Sequence, residues 1–205
     1  LGDHDMQIEN PDKDPPMAFC LMAKMKVGNK TMPVYQFLMD PKKLLKIATV
    51  ARRERPMEQF YQRKIEGSRL NDIADYFKGT DENPPGYTPN NIIIGMEPKM
   101  HKLAKFKPVQ FKPSVSSTLP AYIQVQEQQK NSKLPAKLGT LTFPRPYRSC
   151  WIIDGQHRLY GIVRTREDKE ILRREVKLPI LAFGGMKQNN MADMFLDIND
   201  KQKRI

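Results

Sequence analysis

A chain of 205 residues with 35 Lys and Arg against 23 Asp and Glu has a formal charge of +12. It is long enough for one sizeable core, or a core with a smaller appendage, and its charge is the bulk footprint of a nucleic-acid binder. Cys20 and Cys150 are too few for a disulfide scaffold and lack zinc spacing. No apolar run approaches the roughly 20 residues of a membrane span, and acidic residues stand where a secretory leader is basic, so a cytoplasmic protein with reduced thiols and no membrane partner is expected.

Residues 1–16 hold Asp3, Asp5, Glu9, Asp12 and Asp14 against Lys13, with three prolines, and read as an acidic flexible lead-in with no assigned site. Residues 17–88 read as an N-terminal hairpin plus helices. The span 17–39 alternates well enough for two strands, with Gly28-Asn29 supplying the turn. Asp40-Pro41 reads as an N-cap and first-turn proline, and Leu44, Ile47, Ala48 and Ala51 follow at helical spacing. The outer face of that helix and its continuation carry Lys42, Lys43, Lys46, Arg52 and Arg53. Ser68 reads as a second N-cap, Leu70, Ile73, Ala74 and Phe77 as a buried stripe, and Gly79 as the helix end. Residues 80–89 read as a loop and 91–96 as a strand.

From 99 to 148 the chain includes Lys99, Lys102, Lys105, Lys107, Arg145 and Arg148 with Glu127 as its one acid. Prolines divide it into short pieces, of which 122–125 and 138–143 are the best strand candidates. Phe106, Phe111, Tyr122, Phe143 and Tyr147 interleave with the cations. Such aromatics stack on bases, or equally fill a strand core beneath a solvated lysine face.

In 151–162 an apolar strand runs into Asp154-Gly155 and then into Gln156, His157 and Arg158 at the start of a helix. A glycine permits the sharp turn, the first N–H groups of the helix lack intrahelical partners, and His157 and Arg158 add donors, which suits a phosphate. Asp154 is the one catalytic candidate, although it serves equally as a turn residue, and Arg158 reads alternatively as an ion pair with Asp154, Asp197 or Asp200. Residues 176–183 read as a buried strand, Gly184-Gly185 as a turn and 191–197 as a short helix, so the second half alternates strand and helix. Asn199 and Gln202 lie one helical turn apart, as do Asp197 and Asp200, a pair that reads as a divalent-cation site or as solvated carboxylates. There is no P-loop, zinc set or nucleophile elbow, and no metal site is assigned.

The motif Asp154-Gly155-Gln156-His157-Arg158, the strand near 89–94 and the downstream Phe195, Ile198, Asn199 and Gln202 resemble the DGQHR family, with its DndB-type members of DNA phosphorothioation systems. The likeness covers residues 89–205, the core expected to be cut short at its C-terminus. The motif also resembles the Gly-x-His-Arg element of the ParB/sulfiredoxin-like fold, implying an α/β or α+β mixed sheet with flanking helices. Gln156 stands where sulfiredoxins carry their catalytic cysteine, so that redox chemistry is not carried over. The resemblance implies a DNA-binding regulator of a phosphorothioation or related modification and defence system. Its ligand would be a phosphate or nucleoside triphosphate with Mg²⁺ held by Gly155, Gln156, His157, Arg158, Asn199 and Gln202. Duplex DNA is the expected partner, with homo-oligomers admitted. The alternative is a nucleotide hydrolase or nuclease component of such a system, and a third reading is a nucleotide-responsive scaffold. A chain beginning at Leu1 and stopping just beyond Gln202 is expected to be a fragment of a longer one.

Overall fold

The computed structural model describes residues 15–27, 29–50, 67–79, 82, 86, 90–109, 136–145, 148–165 and 176–202. The alternating segment at the start forms β1 (Met17–Val27) and β2 (Lys30–Met39), antiparallel with Val27 opposite Lys30, which leaves two positions for the turn. Asp40 Oδ1 then accepts from the Lys42 and Lys43 N–H groups at 2.8 and 3.3 Å, and with Pro41 in the first turn this cap starts α1 (Pro41–Ile47).

The helix is shorter than its apolar spacing suggests. Ala48 leaves helical geometry at φ −110° and ψ 140° and opens β3 (Ala48–Val50), which pairs in parallel with β7 (Cys150–Asp154). Two β-branched residues, Thr49 and Val50, take a strand position beside β7 where helix propensity is weak. Ala51, Arg52 and Arg53 lie outside the described residues. In α2 (Gly67–Lys78), Ser68 lies inside the helix rather than ahead of it. Gly79 ends the helix at φ 70°, its N–H reaching the Asp75 carbonyl at 3.0 Å.

The remaining elements are β4 (Ile92–Met96), α3 (Pro98–Leu103), β5 (Lys105–Pro108), β6 (Lys137–Thr142), α4 (Gln156–Thr165), β8 (Leu178–Gly184) and α5 (Gln188–Gln202). The sequence reading missed α3 and β5 because charge dominated that stretch. It found β6 and shortened α5. The strand candidate 122–125 lies outside the described residues.

The eight strands among the described residues form one mixed sheet, ordered β3-β7-β4-β8-β2-β1-β6-β5 and curled into a half-barrel, so the α/β class is as expected. β4 runs antiparallel to β7 and parallel to β8, and the strands from β8 to β5 are antiparallel neighbours. Strands from residues 17–50 thus interleave with those from residues 92–184.

Alternation splits the side chains between two faces. On one, Tyr35, Phe37, Ile92, Ile94, Ile152, Ile180 and Ala182 bury against Leu44 and Ile47 of α1 and Leu159 and Ile162 of α4. On the other, Val34, Ile153 and Phe183 bury against Met186 and Met191, with Phe195 of α5 packed alongside. No described helix is long and apolar enough to cross a membrane.

The larger core also encloses polar groups. The Tyr35 hydroxyl lies 3.0 Å from His101 Nε2 on α3. Burial pushes Tyr35 up to about 12, Cys20 to about 11 and Cys150 to about 12, and lowers His101. The three acids have folded values above their unfolded ones, so their contribution is complete below about pH 9 and lost as pH rises toward 12. His101 has a folded value below its unfolded one, so its contribution is present above about pH 6.5 and lost as pH falls. Urea midpoints should therefore decline on both sides of neutrality. Combining Cys20→Ala, Tyr35→Phe and Cys150→Ala should flatten the alkaline limb alone, and an unaltered alkaline limb would show that these groups do not govern it.

Candidate functional site

At the end of β7 the chain turns through Gly155 at φ 91° into α4, and the Leu159 N–H closes the first turn on the Gly155 carbonyl at 3.0 Å. A Cβ at Gly155 would sit 3.2 Å from Arg158 Nη2 and from Ile92 Cγ1, and 3.3 Å from Ile92 Cα. The glycine therefore answers both a left-handed backbone and the close approach of β4. Beside it the β4–β7 register shifts between Ile93 and Ile94, which face Asp154 and Ile152 respectively. The shift leaves Ile153 as an extra residue on β7, and such a bulge bends and twists the strand next to the motif.

Arg158 occupies the centre of the turn. Its Nη2 donates to Asp154 Oδ2 at 2.8 Å and to the Asn91 carbonyl at 3.3 Å, and its Nη1 donates to the Asn90 carbonyl at 2.7 Å. The Arg158 and Asp154 side chains are 23% and 25% exposed, so the pair stands at the rim rather than in the core. Of the pairings the sequence left open for Arg158, the one with Asp154 is present. The guanidinium clamps the start of β4 to the β7–α4 turn. Asn90 and Asn91 escaped sequence reading because they contribute carbonyls, which leave no trace in residue type.

Gln156 is buried at 6% exposure, while His157 and Tyr160 are half-buried, and each of the three engages a neighbouring group. Trp151, read from the sequence as packing, donates Nε1 to Glu97 Oε1 at 2.6 Å, and Gln188 Nε2 reaches the same oxygen at 2.5 Å. Glu97 thus joins the end of β4 to β7 and to the start of α5, a role the sequence reading missed.

In α5 the Asn199 amide folds back on the Phe195 carbonyl at 2.7 Å, while Asp197 is exposed. The side chains of Asp200 and Gln202 lie outside those described. Among the described residues no three His, Cys, Asp or Glu side chains gather as a metal site.

The described basic candidates divide among three places. Lys42 and Lys43 are exposed on α1 and Lys46 is half-buried there, next to edge strand β3. Lys99, Lys102, Lys105 and Lys107 are exposed along α3 and the opposite edge strand β5. Arg145 and Arg148 are exposed before β7 and both interact with neighbours, Arg148 at φ 66°. The hairpin adds exposed Lys24, Lys26 and Lys30, which sequence reasoning passed over.

This architecture defines an α/β protein whose one mixed sheet ends in a clamped strand–glycine–helix turn beside exposed lysines. A family model for DndB, described as DNA-sulfur modification-associated, matches residues 23–205, and the chain belongs to that family. No curated protein and no solved structure matches the chain.

Two glycines carry the geometry of the turn. A Cβ at Gly161 would fall 2.5 Å from Ile73 Cγ2, so α2 packs on α4 only because that position is bare. Gly161→Ala and Gly155→Ala should each lower stability by about 1–3 kcal/mol, through overpacking in the first and backbone strain with crowding in the second. Gly67→Ala, with nothing within 4 Å, should be close to neutral or slightly stabilising. Equilibrium urea unfolding of the three variants checks this, and equal effects at all three positions would contradict it.

Proposed function

We propose that the chain is a DNA-binding regulatory component of a DNA phosphorothioation system, acting in the cytoplasm, with its DGQHR turn as a phosphate or nucleotide site. The observation that carries the DNA reading is the run Lys99, Lys102, Lys105 and Lys107, all exposed on consecutive elements. Its neighbouring acid, Glu97, is occupied by Trp151 and Gln188. Membership of a family associated with DNA sulfur modification supports the same reading. Lysines spaced along one edge neutralise successive phosphates without reading bases, so this surface supplies affinity and leaves sequence choice to other contacts.

The phosphate reading is supported by Gly155, which turns the backbone at φ 91° into the start of α4, and by the positive end of that helix's dipole. Arg158 would be the cationic donor. Its guanidinium has donors beyond the three contacts described, but a phosphate drawing on Nη2 must compete with Asp154. A nucleotide bound there would present its phosphates to the turn, with any Mg²⁺ held chiefly by those phosphates. The hydrolase alternative gains no support from Asp154, whose Oδ2 is committed to Arg158.

Titration of labelled duplex across a salt series should give a log–log slope of about −0.9 per phosphate contacted. Charge reversal at Lys99, Lys102, Lys105 and Lys107 should flatten that slope. Calorimetry with ATP and Mg²⁺ should show loss of binding in Arg158→Ala and tighter binding in Asp154→Asn, which releases the competing carboxylate. Duplex affinity insensitive to both salt and these lysines would defeat the DNA reading. A folded wild-type chain that binds neither nucleotide nor inorganic phosphate would reduce the motif to a structural clamp.

A further inference from the structure

The face of the sheet covered by α5 over β7 and β4 also buries Met32 and Val34 of β2, but it leaves apolar side chains exposed on β1, β6 and the Leu38 end of β2. Met17, Phe19, Leu21, Leu38 and Leu138 are 58, 61, 40, 60 and 41% exposed. The register sets Leu21 opposite Leu138 and opposite Gln36, and Leu38 opposite Pro179. Phe19, Leu21, Leu38, Leu138, Lys177 and Pro179 line one open groove of about 510 Å³, with no acid among the described residues of its wall. Cations flank it. Across β1, β6 and β5 the rows run Phe19–Thr140–Lys107 and Met17–Thr142–Lys105, and Lys177 stands on the far side.

An apolar strip bounded by lysines calls for an occupant that is apolar along its middle and anionic along its edges. A second copy of the chain fits poorly, because a two-fold contact across the strip turns the Lys177 side onto the Lys105 and Lys107 side. The chain carries a segment of the required chemistry immediately before β1. Residues 3–14 hold Asp3, Asp5, Glu9, Asp12 and Asp14 against Lys13, with Met6 and Ile8 two positions apart among them. The tether is short: Pro16 accepts from the Phe143 N–H at 2.9 Å, so the chain meets the sheet edge-on at the patch itself. A dozen extended residues reach about 35–40 Å from that point, and tethering raises the local concentration to about the millimolar range.

We propose that residues 3–14 dock on this face, Met6 and Ile8 against Phe19, Leu21, Leu38 and Leu138, with the carboxylates beside Lys105, Lys107 and Lys177. Docked there, the segment shields Lys105 and Lys107 from any other polyanion. The test is paramagnetic NMR on the full chain, with a nitroxide attached through Gln7→Cys, which keeps both apolar anchors, since Cys20 and Cys150 are both buried. The methyl signals of Leu21, Leu38 and Leu138 should lose more than half of their intensity in low salt. They should recover at about 0.5 M salt, where screening shortens charge interactions to about 4 Å. They should recover likewise when Asp3, Asp5, Glu9, Asp12 and Asp14 are changed to amides, a substitution that leaves the sheet untouched. Unattenuated methyl signals overturn the proposal. So does attenuation that survives both salt and neutralisation, or line broadening that grows with protein concentration in the unlabelled chain, which marks a second copy on the face. No nucleic acid enters the measurement, so its outcome is independent of the DNA-binding reading.

Discussion

The Arg158 guanidinium is the contact on which the motif depends. One planar group joins a carboxylate at the end of β7 to two carbonyls ahead of β4, and its backbone belongs to the first turn of α4. Lysine could not hold the same three acceptors, because its ammonium lacks the forked geometry. The joint lets antiparallel β4 and β7 separate at Gly155 without losing their alignment. Without it, two carbonyls and a part-buried carboxylate would have to turn to water.

From that joint the rest of the core follows in layers. β4 and β7 lie between β8 and the short edge strand β3, and α4 packs beneath α2 through Gly161. Ser149 Oγ donates to the Ile47 carbonyl at 3.2 Å, tying the end of α1 to the start of β7. Glu97 performs the matching task at the opposite end of β4, where it receives Trp151 and Gln188. The two ends of one central strand are therefore fixed by charged side chains and its middle by apolar packing. Function is left to the surfaces: the rim of the turn, the lysines of α1, α3 and β5, and the uncovered face of the hairpin.

Much of this was legible in the sequence. Alternation in 17–39 set the hairpin, and Asp40-Pro41 set the start of α1, because both signals are local. The strand–glycine–helix character of the motif was equally local. The failures have a common physical origin in partners distant along the chain. Ala48 leaves the helix because β7, a hundred residues on, offers a parallel edge. Pro98–Leu103 forms a helix although charge dominates its composition, with half-buried His101 against Tyr35 as its one polar anchor in the core. The partners of Arg158 include backbone carbonyls 67 and 68 positions earlier, which no side-chain pattern encodes.

The central claim is that Asp154 and Arg158 act as one unit at the joint, which a double-mutant cycle measures directly. Wild type, Asp154→Ala, Arg158→Ala and the double variant are unfolded in urea under identical conditions. The account predicts a coupling energy of about 1 kcal/mol or more, with Arg158→Ala costing more than Asp154→Ala because two carbonyls lose their donor as well. Single-variant effects that add to within about 0.3–0.5 kcal/mol would contradict it, showing that the two side chains contribute independently and that the turn is held by its backbone alone.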